Sequence, residues 1–120
     1  MLFRSFLLNE NFVRLKNSNL ALMDLDFIFV DADTLQKILK ESHEITIVGQ
    51  KLHVPSLNHL IALKLHAIKS NQKNRLLKDL PDIINLILIN KIDITNPEFK
   101  TMCLKYGTED IYKKIVEAVQ

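Results

Sequence analysis

Glycine and cysteine are both scarce in this 120-residue sequence, and each shortage excludes a class of site. The only two glycines are Gly49 and Gly107, so these residues form neither a glycine-rich phosphate-binding loop nor a dinucleotide-binding fingerprint. The single cysteine, Cys103, allows no disulfide within the chain and no cysteine metal cluster. We interpret Cys103 as a small buried residue. His59 and His66 are seven residues apart, which is too far for easy shared ligation of one metal, and we expect both side chains to be solvated. His43 and His53 have no companion pattern either.

Excess charge and long apolar runs are also missing. Sixteen basic residues against 14 acidic ones give a formal net charge of +2, which does not indicate nucleic-acid binding. The apolar stretch at 83–89 contains Asn85 and is too short to span a bilayer. The first residues do not have the pattern of a signal peptide. We therefore expect a cytoplasmic protein without a membrane partner.

Periodicity predicts an α+β fold: a small antiparallel or mixed sheet followed by a helical C-terminal half. The length fits a single domain over residues 1–120, strand-rich at 1–54 and helical at 55–120. The predicted elements are strands at 12–16 and 20–30, a helix at 34–40, a hairpin of strands 44–48 and 51–54, and helices at 57–69, 76 or 80 to 89, 97–104 and 109–119.

Capping and turn residues set the ends of these predicted elements. Asp33 and Ser56 are the expected N-caps of the first two helices, and Pro81 is expected in the first turn of the third. Gly107 suits a helix C-cap. Residues 49–50 form the expected hairpin turn.

The strand predicted at 20–30 carries two carboxylates in an otherwise apolar segment. Its odd positions are all apolar and predict a core face, formed by Ala21, Met23, Leu25, Phe27 and Phe29. Asp24 and Asp26 are two residues apart, so they share the other face at a separation of about 7 Å. Such a pair can bind Mg²⁺. The alternatives are that this face is exposed to solvent, or that a basic residue pairs with one aspartate.

A lysine interrupts the apolar stripe of the helix predicted at 57–69. Lys64 lies within the stripe formed by Leu57, Leu60, Ile61, Leu65 and Ile68. A lysine at such a position either extends its amine to solvent or meets an anion. The candidate anions are the phosphates of a nucleotide or the carboxylates of Asp24, Asp26, Asp79 and Asp82.

Two sequence segments carry a family resemblance. VPSLNHLIALKLHA at 54–67 is followed by Arg75 and then by KDLPDI at 78–83. Together they resemble nucleotidyltransferases of the AbiEii toxin type, in the DNA polymerase β-like superfamily, and the resemblance covers about residues 23–106. It implies a nucleotidyltransferase-like fold, Mg²⁺-dependent transfer of a nucleoside monophosphate from an NTP, and a toxin–antitoxin role. It also implies that Asp26 is the third catalytic carboxylate, Lys64 the motif lysine that meets nucleotide phosphates, and Asp79 the motif aspartate.

One departure from the family pattern bears on activity. The family's first motif is Gly-Ser followed by Asp-x-Asp, and no glycine precedes Gly49 here. Asp24 and Asp26 are then the candidate metal ligands, which are few for two cations. We expect the chain to be a truncated nucleotidyltransferase-like domain that corresponds to the C-terminal portion of the family's domain. In isolation it should be incompetent in nucleotidyl transfer, whether it is a gene fragment, one half of a split enzyme or a pseudoenzyme. The alternative is a non-catalytic partner-binding domain. An exposed sheet edge would favour a protein partner or self-association. Enzyme status, acceptor, nucleotide preference, oligomeric state and the choice between a toxin and a housekeeping role stay open.

Overall fold

The structure is a computed structural model that describes residues 3–9, 12–17, 25–70 and 72–120. Its backbone contacts divide the chain into two compact units, Met1–Lys40 and Glu41–Gln120, and each is described by itself. Strands and helices occur in both, so the fold class is α+β, as the sequence predicts. The expectation of a single domain stays a prediction.

The described residues of the first unit form a three-stranded antiparallel sheet and one helix. The strand order is β1-β2-β3, with β1 at Phe3–Asn9, β2 at Phe12–Asn17 and β3 at Leu25–Ile28. The helix, α1, covers Ala32–Lys40. The strand predicted at 12–16 is confirmed, and β3 confirms part of the one predicted at 20–30, whose first residues lie outside the described ranges.

Two predictions about the first unit are wrong. Leu25, Phe27 and Phe29 are exposed, although their alternation predicts a core face. Alternation shows which side chains share a face but not what covers that face. The cap of α1 is Asp31 and not Asp33, since the Thr34 backbone N–H donates to Asp31 Oδ1 at 2.7 Å. Hydrogen bonds from Thr34 also lower the pKa of Asp31.

The second unit opens with a β-hairpin. Strands β4 (His43–Ile47) and β5 (Gln50–Val54) pair in antiparallel register. The turn lies at Val48 and Gly49, one residue earlier than predicted. Both turn residues have left-handed backbone, with φ of 49° and 75°, as a type I′ hairpin turn requires.

Four helices complete the second unit: α2 at Leu57–Ser70, α3 at Gln72–Ile89, α4 at Pro97–Tyr106 and α5 at Glu109–Val119. Ser56 caps α2 as predicted, accepting from the His59 backbone N–H at 3.2 Å. The prediction for α3 is wrong at its start, because the polar residues before Leu76 are helical from Gln72 onward. Pro81 therefore lies inside α3. Because proline has no backbone N–H, the Leu77 carbonyl loses its helical donor, but both residues are on an exposed side of the helix that water can reach.

The core of the second unit is formed by one face of each helix. Its buried residues are Ile61, Leu65, Ile68, Ile83, Ile87, Ile94, Phe99, Cys103, Ile111 and Ile115. Cys103 is fully buried, as predicted, and this burial raises the pKa of its thiol to about 12. Among the described residues, no helix is long and apolar enough to cross a membrane.

Gly107 ends α4 as predicted, and its lack of a side chain has a packing reason. Its backbone N–H donates to the Cys103 carbonyl at 2.9 Å. A Cβ at Gly107 would lie 2.8 Å from that oxygen and 3.2 Å from Leu65 Cδ2. Glycine therefore allows the end of α4 to approach α2 closely.

Candidate functional site

Four charged side chains meet where α2 packs against α3. Lys64 comes from α2, while Arg75, Asp79 and Asp82 come from α3. We call these four residues the Lys64 cluster. The three residues of α3 are spaced four and then three positions apart, which places them on one face of the helix. That face is turned toward α2, because Asp79 and Arg75 are both buried.

Arg75 and Asp79 form a buried bidentate ion pair. Arg75 Nε lies 2.7 Å from Asp79 Oδ2, and Arg75 Nη2 lies 3.1 Å from Asp79 Oδ1. Asp79 is only 1% exposed. A planar guanidinium that engages both carboxylate oxygens fixes the orientation of both groups. The pair is therefore the rigid part of the cluster.

Lys64 adds a second cation at the edge of this pair. Its Nζ lies 3.4 Å from Asp79 Oδ1 and 3.0 Å from Asp82 Oδ2. The Lys64 side chain is 24% exposed and that of Asp82 is 50% exposed. The prediction that Lys64 is drawn toward a carboxylate is confirmed, with two of the four candidate aspartates as its partners.

The apolar stripe around Lys64 explains why its amine reaches this position. Its neighbours on α2, Ile61, Leu65 and Ile68, are fully buried in the core. The lysine stem lies beside them while the ammonium extends to the partly exposed edge. Asp79 positions the Lys64 ammonium from the buried side, and Asp82 contacts it from the solvent side.

The cluster does not fit a magnesium ion. Both oxygens of Asp79 already accept hydrogen bonds from Arg75, and Oδ1 also contacts Lys64. A divalent cation there would have to compete with two positive side chains for the same oxygens. Within the described ranges, no group of three or more His, Cys, Asp or Glu residues could hold a metal.

The predicted strand carboxylates cannot be assigned to this cluster. Asp24 lies outside the described residues. Asp26 belongs to β3 in the first unit, where it stands opposite Arg14 in the backbone register, and its side chain is not among those described. The metal-ligand role of Asp24 and Asp26 and the catalytic roles of Asp26, Lys64 and Asp79 stay predictions.

His59 differs from the solvated histidine that the sequence predicts. Its ring is partly buried, with Nε2 3.3 Å from Glu41 Oε2. Its Nδ1 is buried and has no hydrogen-bond partner among the residues that the structure describes. His66 is exposed, as predicted, and His43 and His53 are exposed as well.

The sequence alone did not assign Arg75 a role. Its signal was present as the spacing 75-79-82, which places one cation and two anions on a single helical face. The predicted helix began at 76 or 80, so Arg75 lay outside it and the spacing was not recognised. Once α3 is seen to begin at Gln72, the pairing of Arg75 with Asp79 follows from their separation of four residues.

No protein-family model, curated protein or solved structure matches this chain. The resemblance to AbiEii-type nucleotidyltransferases therefore remains a proposal that rests on the two sequence segments and on the contacts of the Lys64 cluster.

Proposed function

We propose that this chain is part of a cytoplasmic nucleotidyltransferase-like protein of the AbiEii toxin type, in which Lys64 binds the phosphates of a nucleoside triphosphate. One observation supports this most. The two sequence segments that carry the resemblance are separated along the chain, yet their charged residues contact each other in the Lys64 cluster. A lysine held by an aspartate of the second segment fits a shared role better than two unrelated surface charges do.

The geometry suits phosphate binding by Lys64 more than by Arg75. The Lys64 ammonium has three donors and lies at the partly exposed edge of the cluster. Arg75 is buried and holds Asp79 through two hydrogen bonds. Phosphate would therefore approach Lys64 from solvent, while Arg75 and Asp79 hold the base of the site. This division of roles needs no rearrangement of the buried pair.

Transfer of a nucleoside monophosphate demands more than this cluster supplies. Mg²⁺, when bound, would neutralise charge on the phosphates, and two-metal transfer needs oxygen ligands for both ions. The candidate ligands are Asp24 and Asp26, which lie on the predicted strand at 20–30. Two carboxylates are few for two cations, so we propose that these 120 residues bind a nucleotide without completing a transferase site. A toxin–antitoxin role belongs to the same proposal.

An assay of transfer tests the enzymatic part of the proposal. We expect the 120-residue chain to transfer no label from any of the four α-labelled NTPs to protein or RNA in the presence of Mg²⁺ or Mn²⁺. The measurement is gel autoradiography of the chain with and without added acceptors.

Asp26→Asn is the matched control for that assay. Transfer that disappears in Asp26→Asn would contradict the expectation of incompetence and make Asp26 a catalytic carboxylate. Transfer that is equal in both proteins would indicate a contaminating enzyme or catalysis by residues other than Asp26.

A non-catalytic partner-binding domain is the second candidate, and the hairpin favours it. Ile45, Ile47 and Leu52 lie on one face of β4 and β5 and are exposed, while Glu44 and Lys51 lie on the other. An exposed apolar face of this kind often marks a protein contact. A chain that self-associates or binds a protein but binds no NTP would belong to this second class.

A further inference from the structure

The two aspartates that contact Lys64 differ in burial and in the number of their contacts. Asp79 is almost completely buried, and its two oxygens accept from Arg75 as well as from Lys64. Asp82 is half exposed and contacts Lys64 through Oδ2 at 3.0 Å. Removing Asp79 from Lys64 would disrupt a buried network, whereas moving Asp82 away requires only the rotation of an exposed side chain.

We infer that Asp82 is a competing anion that occupies the phosphate position on Lys64 until a nucleotide displaces it. This inference rests on the proposed function, because it assumes that Lys64 binds nucleotide phosphates. It assigns the two aspartates opposite effects on binding. Asp79 positions the ammonium and supports binding, while Asp82 lowers the affinity by neutralising the same ammonium.

Chemistry and geometry both favour exchange at Asp82. A carboxylate oxygen and a phosphate oxygen are both anionic acceptors, so they compete for the donors of one ammonium. The Lys64–Asp82 contact lies at the solvent edge of the cluster, where an incoming phosphate arrives. Ion pairs with an exposed partner are weak, so the contact can be replaced at little cost.

The charges of the four side chains favour binding of a phosphate once Asp82 leaves Lys64. Lys64 and Arg75 carry two positive charges, and Asp79 and Asp82 carry two negative ones. The formal charges of these four side chains sum to zero while Asp82 contacts Lys64. Once Asp82 moves away, the positive charge of the Lys64 ammonium at the edge is available to the phosphate. A neutral side chain at position 82 would leave that charge available at all times.

The test compares dissociation constants for each NTP in the 120-residue chain and in Asp82→Asn. We expect the Kd of Asp82→Asn for NTP to be about two- to fivefold lower than that of the unmodified chain. This factor corresponds to the stabilisation that one exposed ion pair contributes. Adding Lys64→Met to Asp82→Asn should abolish this gain. Isothermal titration calorimetry gives the constants, and circular dichroism verifies that each variant is folded.

Asp110→Asn is the matched control. Asp110 is an exposed aspartate on α5 that pairs with Lys114 at 3.9 Å, so its replacement removes the same charge from a different helix. We expect its Kd to equal that of the unmodified chain. An equal gain in Asp110→Asn would overturn the inference, since the effect would then be one of total charge.

Nucleotide binding at Lys64 and displacement of Asp82 can fail separately. If the unmodified chain binds NTP through Lys64 but Asp82→Asn binds no more tightly, exchange at Asp82 is wrong and the proposed function stands. If neither protein binds NTP, or if binding is unaffected by Lys64→Met, the proposed site at Lys64 is wrong and the inference falls with it.

Discussion

Replacing Asp79 with alanine should lower the free energy of unfolding by about 3–5 kcal/mol. Asp79 is 1% exposed and provides both oxygens that the buried Arg75 guanidinium engages. Without this carboxylate, the buried Arg75 guanidinium loses its bidentate partner, and Asp79 no longer offsets the cost of desolvating it. Lys64 also loses its contact with Asp79 Oδ1. Urea unfolding followed by circular dichroism measures the change.

Asp82→Ala provides the comparison, since it removes the same type of side chain from the same helix. Asp82 is half exposed, so we expect its loss to cost less than about 1 kcal/mol. Lys64→Met should also be tolerated better than Asp79→Ala, because methionine suits the apolar stripe of α2. Equal costs for the two aspartate variants would show that Asp79 is not the structural centre of the Lys64 cluster.

Replacing Leu65 with alanine should cost about 2–5 kcal/mol of unfolding free energy. Leu65 is fully buried in the centre of α2, and its Cδ2 lies on the side from which Gly107 approaches. Truncation would remove buried methyl groups and leave a cavity between α2 and the end of α4. The surrounding helices are fixed by their own buried residues, so we expect the cavity to close only in part.

Leu77→Ala is the matched control for this substitution. Leu77 lies on α3 and is 89% exposed, so the same chemical change there removes almost no buried surface. We expect the unfolding free energy to change by less than about 0.5 kcal/mol. Thermal and urea unfolding of both variants would measure the contrast. Similar losses at both positions would contradict the assignment of the core to the inward faces of the helices.

Strands and helices whose apolar residues recur with a regular spacing could be predicted from the sequence. The hairpin at β4 and β5 and the helices α2, α4 and α5 follow from alternation, helical spacing and caps such as Ser56. The start of α3 could not be predicted in this way. Its first residues are polar and resemble a loop, yet they are helical, and the i,i+4 pair of Arg75 with Asp79 supports the helix there.

The exposure of β3 shows a second limit of sequence patterns. Leu25, Phe27 and Phe29 alternate as core residues do, yet they are exposed. Alternation is a property of one strand, while burial depends on what packs against it. For the same reason, the sequence could place Lys64 in an apolar stripe but could not show that its amine contacts Asp79 and Asp82. Those contacts depend on how α3 lies against α2, which is tertiary structure.

The most direct test of the account is a titration of the ¹⁵N-labelled chain with each NTP, with and without Mg²⁺, followed by amide NMR. We expect shifts at residues around Lys64 and Asp82, and we expect them to be lost in Lys64→Met. They should be retained in Lys69→Met, which removes an exposed lysine from the same helix. Shifts that persist in Lys64→Met, or that are lost equally in both variants, would contradict a nucleotide site at the Lys64 cluster.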